Sequence, residues 1–183
     1  MGQREILIKI AQNLDKFKIP YLLTGSFAVS YYGSPRATHD IDFVILATQD
    51  NKHQFDNFLK NFSKEFIFQP FTLPDNLDNY QYNLVHDETG IKIDFWIING
   101  REFEIKYEHR KIIKFEKYKI PLISVEDLII QKLLWCKEVY SERHYSDCEN
   151  MWQIQKKNID IEKLNKDIKQ LGLTNLFKEV ISK

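Results

Sequence analysis

LLTGSFAVSYYGSPRATHDIDFVI, from Leu22 to Ile45, contains two apolar runs, and between them stand residues that neither run needs for packing. In an extended strand successive side chains alternate faces. Over residues 41–46 this puts Ile41, Phe43 and Ile45 on one face, and Asp40 and Asp42 project to the other side. One face belongs to a core, and the other carries two carboxylates. Upstream, Gly25-Ser26 opens a short apolar helix over residues 26–32, which ends in the turn Gly33-Ser34-Pro35. A helix start offers free backbone N–H groups and the positive end of a dipole, and glycine lets a phosphate approach the chain closely. The Ser26 hydroxyl adds a donor. Arg36 and Thr38 fall in the connection, where a guanidinium can grip phosphate oxygens through paired hydrogen bonds.

A second stretch, IKIDFWI from Ile91 to Ile97, repeats the arrangement. Ile91, Ile93, Phe95 and Ile97 share one face, and Lys92, Asp94 and Trp96 share the other. If this strand lies beside the first, Asp94 joins Asp40 and Asp42. Carboxylates about 4 Å apart repel by roughly 4 kcal/mol per pair at an effective dielectric near 20, so such a site calls for cations. Oxygen-only ligands favour Mg2+ or Mn2+ over zinc. Taken singly, each element has an ordinary reading: a solvated strand face, a plain helix cap, a surface aspartate. Their occurrence in this order, with apolar residues interleaved, points to a site for metal and phosphate.

The remaining pattern is mixed α/β for about the first 120 residues and helical afterwards. Ile6, Leu7, Ile10, Leu14 and Phe17 predict a helix over 3–18, stopped by Pro20, and a short strand follows over 21–23. Residues 50–62 read as helix and 75–79 as loop. Strands are expected over 80–86, 91–98, 102–106 and 111–115, with turns at Asp87-Glu88-Thr89-Gly90 and Asn99-Gly100. Ser124-Val-Glu-Asp127 is an N-cap for a helix over 125–137. The expected division is a core over 1–121 and a C-terminal helical region over 122–183 packed on it.

With 26 basic and 26 acidic side chains the net charge is zero, so no global field draws the chain to nucleic acid or to anionic membrane. No apolar run reaches transmembrane length and no signal-peptide pattern opens the chain, so no membrane partner is expected and the cytoplasm is the expected location. Cys136 and Cys148 fit neither a disulfide framework nor a zinc site and are expected as buried or semi-buried thiols. Lys132, amid Leu128, Leu133 and Leu134, reads from its neighbours either as a snorkelling surface lysine or as a phosphate contact. Trp96 reads as packing or as a stacking surface, His39 has no role, and Tyr31, Tyr32, Tyr80 and Tyr82 are expected to cover the sheet.

TGSFAVSYYG, RATHDIDFVI and IKIDFWI together resemble the nucleotidyltransferase fold of the DNA polymerase beta superfamily. The narrower pattern R-x-T-x-D-h-D, with ISVEDLIIQKLLW and SERHYSDCENMWQIQ behind it, resembles the abortive-infection toxin-type nucleotidyltransferases and related small bacterial proteins. The resemblance implies an α+β (mixed α/β) fold: a nucleotidyltransferase-type mixed sheet with flanking helices, followed by a helical C-terminal region. It also implies that Gly25 and Ser26 form the phosphate-binding turn, that Asp40, Asp42 and Asp94 are the catalytic metal ligands, and that Lys132 and Asp147 accompany the nucleotide site. Mg2+ or Mn2+ would be the cofactor and a nucleoside triphosphate (NTP) the donor. Where toxins commonly carry Gly-Gly and Lys-Asp-x-x-Asp, this chain has Gly25-Ser26, and Ser146-Asp147 with Asn150.

The activity so implied is transfer of a nucleoside monophosphate from an NTP to a hydroxyl, with pyrophosphate leaving. The acceptor stays open among a small molecule, tRNA and a protein. Two other readings stand beside it: a toxin acting on tRNA or another macromolecule, with an antitoxin partner, and a catalytically silent nucleotide-binding module. A homodimer is also left open.

Overall fold

The apolar side chains Ile6, Leu7, Ile10, Ala11 and Leu14 recur at helical spacing and are all fully buried, which makes α1 (Gln3–Lys16) the first wall of a core. A computed structural model of the protein describes residues 1–72, 80–98 and 100–182. After α1 come β1 (Tyr21–Thr24), α2 (Gly25–Tyr32), β2 (Asp40–Ile45), α3 (Lys52–Phe62) and β3 (Phe66–Ile67). They are followed by β4 (Tyr80–His86), β5 (Lys92–Ile97), α4 (Gly100–Glu108), β6 (Lys111–Phe115) and β7 (Tyr118–Leu122). Four helices close the chain: α5 (Val125–Glu138), α6 (Glu142–Gln155), α7 (Ile161–Gln170) and α8 (Thr174–Ile181). The chain divides into two compact units, Met1–Phe27 with Ala37–Ile123, and Ala28–Arg36 with Ser124–Lys183.

The first unit is built on one seven-stranded sheet in the order β3-β4-β5-β2-β1-β7-β6. The β2–β5 and β1–β7 pairs are parallel and the others antiparallel. Alternation divides its faces as expected. On one face Phe43 stacks on Phe95 with ring centroids 5.9 Å apart, and Phe55 and Phe58 of α3 meet Phe95 edge-on at 5.6 and 5.7 Å. Such aromatic pairs add about 0.5–1.5 kcal/mol each beyond their buried area. On the other face Leu22, Val44 and Ile98 enclose Phe103 of α4, with Trp96 packed against them.

Two elements differ from the sequence reading. Residues 102–106, expected as a strand, lie within α4, and Gly100 begins that helix instead of completing a hairpin turn; Asn99 lies outside the described residues. The cause is tertiary. REFEIKYE alternates like a strand, but only Phe103 is buried, its ring stacks on Tyr107 one turn later at 5.4 Å, and Lys106 pairs with Glu102 at 3.4 Å in the helical i,i+4 relation. Strand β7 was not expected, because Pro121 and the surrounding lysines obscured Ile120 and Leu122, both fully buried. The loop read over 75–79 lies outside the described residues.

The second unit packs α5 to α8. Ser124 caps α5 by accepting from the Asp127 N–H at 3.1 Å and donating its hydroxyl to the Asp127 carboxylate at 2.7 Å. Leu128, Ile129, Leu133, Met151, Leu164 and Val180 are all shielded from solvent. Tyr31 is exposed, contrary to its expected covering role, whereas Tyr32 is buried. Cys136 and Cys148 are free and buried, and burial raises both thiols above their ordinary range, which keeps them protonated and unreactive. Among the described residues no helix is long and apolar enough to cross a membrane.

Candidate active site

The parallel pairing of β2 with β5 brings the two quoted stretches together. Asp42 stands opposite Asp94, Asp40 opposite Lys92, and Val44 opposite Trp96. Neighbouring strands run about 4.8 Å apart, and residues opposite each other in a parallel pair point to the same side. Asp40, Asp42 and Asp94 therefore share one sheet face, with Asp94 only 4% exposed and the other two half-buried.

Each carboxylate has a distinct surrounding. Asp94 Oδ1 accepts from Gln81 Nε2 at 2.9 Å and pairs with Lys92 Nζ at 2.8 Å, and Oδ2 accepts from the same ammonium at 3.0 Å. The Trp96 indole N–H points to Asp42 Oδ1 at 3.5 Å, so this ring packs beneath the site and orients a carboxylate. Asp40 is fixed through its backbone: the Thr38 hydroxyl accepts from the Asp40 N–H and donates to the Asp40 carbonyl, both at 3.3 Å. Thr38 thus sets the start of β2.

Gly25 explains why glycine stands where α2 begins. Its φ is +61°, and a Cβ there would lie 1.9 Å from Asp42 Oδ2 and 2.7 Å from Asp42 Cβ. The backbone of the turn is in contact with the carboxylate, and Ser26, 6% exposed, follows it. Gly25→Ala is expected to cost about 1–2 kcal/mol through the left-handed φ alone. It is also expected to lower nucleotidyl transfer about a hundredfold by pushing Asp42 aside. A thermal melt and a steady-state assay check both, and full activity in the alanine variant would refute the contact.

Lys132, Asp147 and Arg36 form a separate network within the second unit. Arg36 offers Nε to Asp147 Oδ1 and Nη2 to Oδ2, each at 3.2 Å, a fork on one carboxylate. Lys132 Nζ pairs with Asp147 Oδ2 at 3.1 Å and meets His144 Nδ1 at 3.3 Å. Lys132 is only 6% exposed, so the snorkelling surface reading is corrected: its helix face is buried and Asp147 compensates its charge. Burial, reinforced by the Lys132 ammonium, lowers the His144 pKa below its ordinary value, which keeps the ring neutral and able to accept from Lys132. The guanidinium of Arg36, expected on phosphate, is engaged by Asp147 in this structure.

The residues singled out from the sequence thus fall into two groups, one per unit. Gly25, Ser26, Thr38, Asp40, Asp42 and Asp94 belong to the first, and Arg36, Lys132 and Asp147 to the second. Gln81 and the ion pair of Lys92 were missed. Lys92 had a visible signal, two residues from Asp94 on the same strand face, whereas Gln81 had none, because only register places it there.

Among the described residues no three His, Cys, Asp or Glu side chains are drawn together as a bound ion would draw them. The donor set nevertheless fits a hard divalent cation: carboxylate oxygens only, projecting from two adjacent strands, with an ammonium already balancing the most buried one.

The fold is that of nucleotidyltransferases. An antigenic nucleotidyltransferase-like protein from Paracoccidioides brasiliensis matches at 17% identity and TM-score 0.60, over 96% of this chain and 87% of its own. The lincosamide antibiotic adenylyltransferase LnuA, lincomycin-bound, matches at 20% identity and TM-score 0.56, over 84% of this chain and 98% of its own. ANT(2″)-Ia in complex with adenylyl-2″-tobramycin matches at 13% identity and TM-score 0.62, over 98% of both chains. At these identities the likeness speaks for the fold. A family model described as nucleotidyl transferase AbiEii toxin, type IV TA system, matches residues 10–175, and the chain belongs to that family. A search of curated proteins finds no significant match. The protein is accordingly a nucleotidyltransferase of a toxin family.

Proposed function

We propose that the protein transfers a nucleoside monophosphate from an NTP to a hydroxyl acceptor, with Mg2+ or Mn2+ as cofactor and pyrophosphate as the leaving product. The observation that carries this reading is the register of Asp42 with Asp94 beside the Gly25 turn. A new bond forms between the acceptor oxygen and the α-phosphorus as the bond from that phosphorus to the bridging oxygen of pyrophosphate breaks. Divalent ions, when bound, neutralise charge on the transferring and leaving phosphate oxygens. Asp40 and Asp42 hold that charge in place, and the N–H groups of the Gly25-Ser26 turn orient phosphate oxygens. Asp94 would share one ion with Asp40 and Asp42 and help take the proton from the acceptor hydroxyl. Within the second unit, Arg36 and Lys132, both held by Asp147, offer two cations suited to a polyanion.

Membership of the AbiEii family favours a toxin, with an antitoxin partner and a macromolecular acceptor such as tRNA. The antibiotic adenylyltransferases that share the fold keep a small alcohol as the second candidate. The three retained carboxylates argue against a silent module, since an unneeded carboxylate cluster is a cost without cations.

The test is incubation of the protein with each α-labelled NTP, Mg2+ or Mn2+, and a cell extract, with the label followed into RNA, protein and small molecules. Label in one fraction identifies the acceptor class. No transfer from any of the four nucleotides with either metal would overturn the proposal.

A further inference from the structure

Asp94 is the most buried of the three carboxylates, and both of its oxygens are already occupied: Oδ1 by Gln81 and Lys92, and Oδ2 by Lys92. Lys92 lies on the same strand two residues earlier and stands opposite Asp40. A single ammonium is thus placed in register with one of the site's carboxylates and paired with another. The Lys92 side chain is 39% exposed against 6% for that of Asp94, so the cation sits at the solvent edge of a carboxylate that is itself sealed. Gln81, a neutral donor from the adjacent strand, would keep Asp94 oriented if the ammonium left.

Resting on the metal-dependent reading above, we propose that Lys92 is a tethered cation that holds Asp94 in the metal-free state and withdraws to solvent when a divalent ion enters. Lys92 therefore sets the metal concentration at which the site loads. The ion and the ammonium compete for the same carboxylate, and two like charges within a few ångströms repel. Removing the ammonium removes the competitor. An ion pair of this exposure corresponds to a gain of about three- to tenfold in metal affinity, since part of the charge effect is screened by water. Arginine keeps the charge and is expected to keep the competition.

The experiment measures Mn2+ binding by electron paramagnetic resonance, without nucleotide, on the full chain and on Lys92→Met, Lys92→Arg and Asp42→Asn. Thermal melts of each are recorded with and without Mn2+, and Lys92→Gln replaces the methionine variant should that one not fold. The expected result is a Mn2+ dissociation constant about three- to tenfold lower for Lys92→Met than for the native chain. Lys92→Arg should match the native chain, Asp42→Asn should bind less, and the melting shift on adding Mn2+ should be largest in Lys92→Met. Native-chain binding with equal or poorer affinity in Lys92→Met overturns the role of Lys92 and leaves the metal site standing. Absence of Mn2+ binding in the native chain and in both lysine variants removes the metal reading itself and this inference with it.

Discussion

Asp147→Ala is expected to lower stability by about 3–5 kcal/mol, because it strands the buried Lys132 ammonium and removes the carboxylate that the Arg36 fork grips. The side chains of Lys132 and Asp147 are 8% and 6% exposed, so water cannot take over the lost interaction. The cost arises less from the ion pair itself than from an uncompensated buried charge. Two comparisons separate these. Asp147→Asn retains an acceptor and should lose less, and the double variant Lys132→Met/Asp147→Leu should regain much of the loss by replacing the pair with apolar bulk. Urea unfolding of the three variants decides the matter, and an unchanged midpoint for Asp147→Ala would show that the pair contributes nothing.

Asp42→Asn is expected to lower nucleotidyl transfer by about 10^2–10^3-fold or more while the protein stays folded. Asp42 is opposite Asp94, touches the Gly25 turn, and accepts from Trp96, so it joins the three parts of the site. Asparagine keeps the shape and removes the charge that, in the proposed mechanism, balances cations on the phosphates. Since the change also relieves repulsion between carboxylates on one face, the melting temperature should hold or rise slightly. Turnover near the native value in a folded Asp42→Asn would place the chemistry elsewhere in the chain.

The expectations drawn from residues alone succeeded where one local rule governed. Ile41, Phe43 and Ile45 against Asp40 and Asp42 is a two-residue period, and β2 runs with that alternation over Asp40–Ile45. The α5 cap at Ser124 is likewise a local hydrogen bond. They failed where packing outvoted pattern. Over 102–106 the alternation matched a strand, and the burial of one phenylalanine under Leu22 and Val44 made a helix the better solution.

The sequence by itself determined the alternating faces of the two aspartate-bearing strands, the glycine that opens α2, and the resemblance to nucleotidyltransferase toxins, because each is written in residues a few positions apart. Only the tertiary structure decided that Asp42 and Asp94 stand in register, that Gln81 holds Asp94, and that Asp147 binds Arg36 and Lys132. These pairs lie up to 111 positions apart along the chain, or depend on which strand lies beside which. Such choices are made by burial and strand pairing over the whole sheet and helix bundle, and no local spacing encodes them.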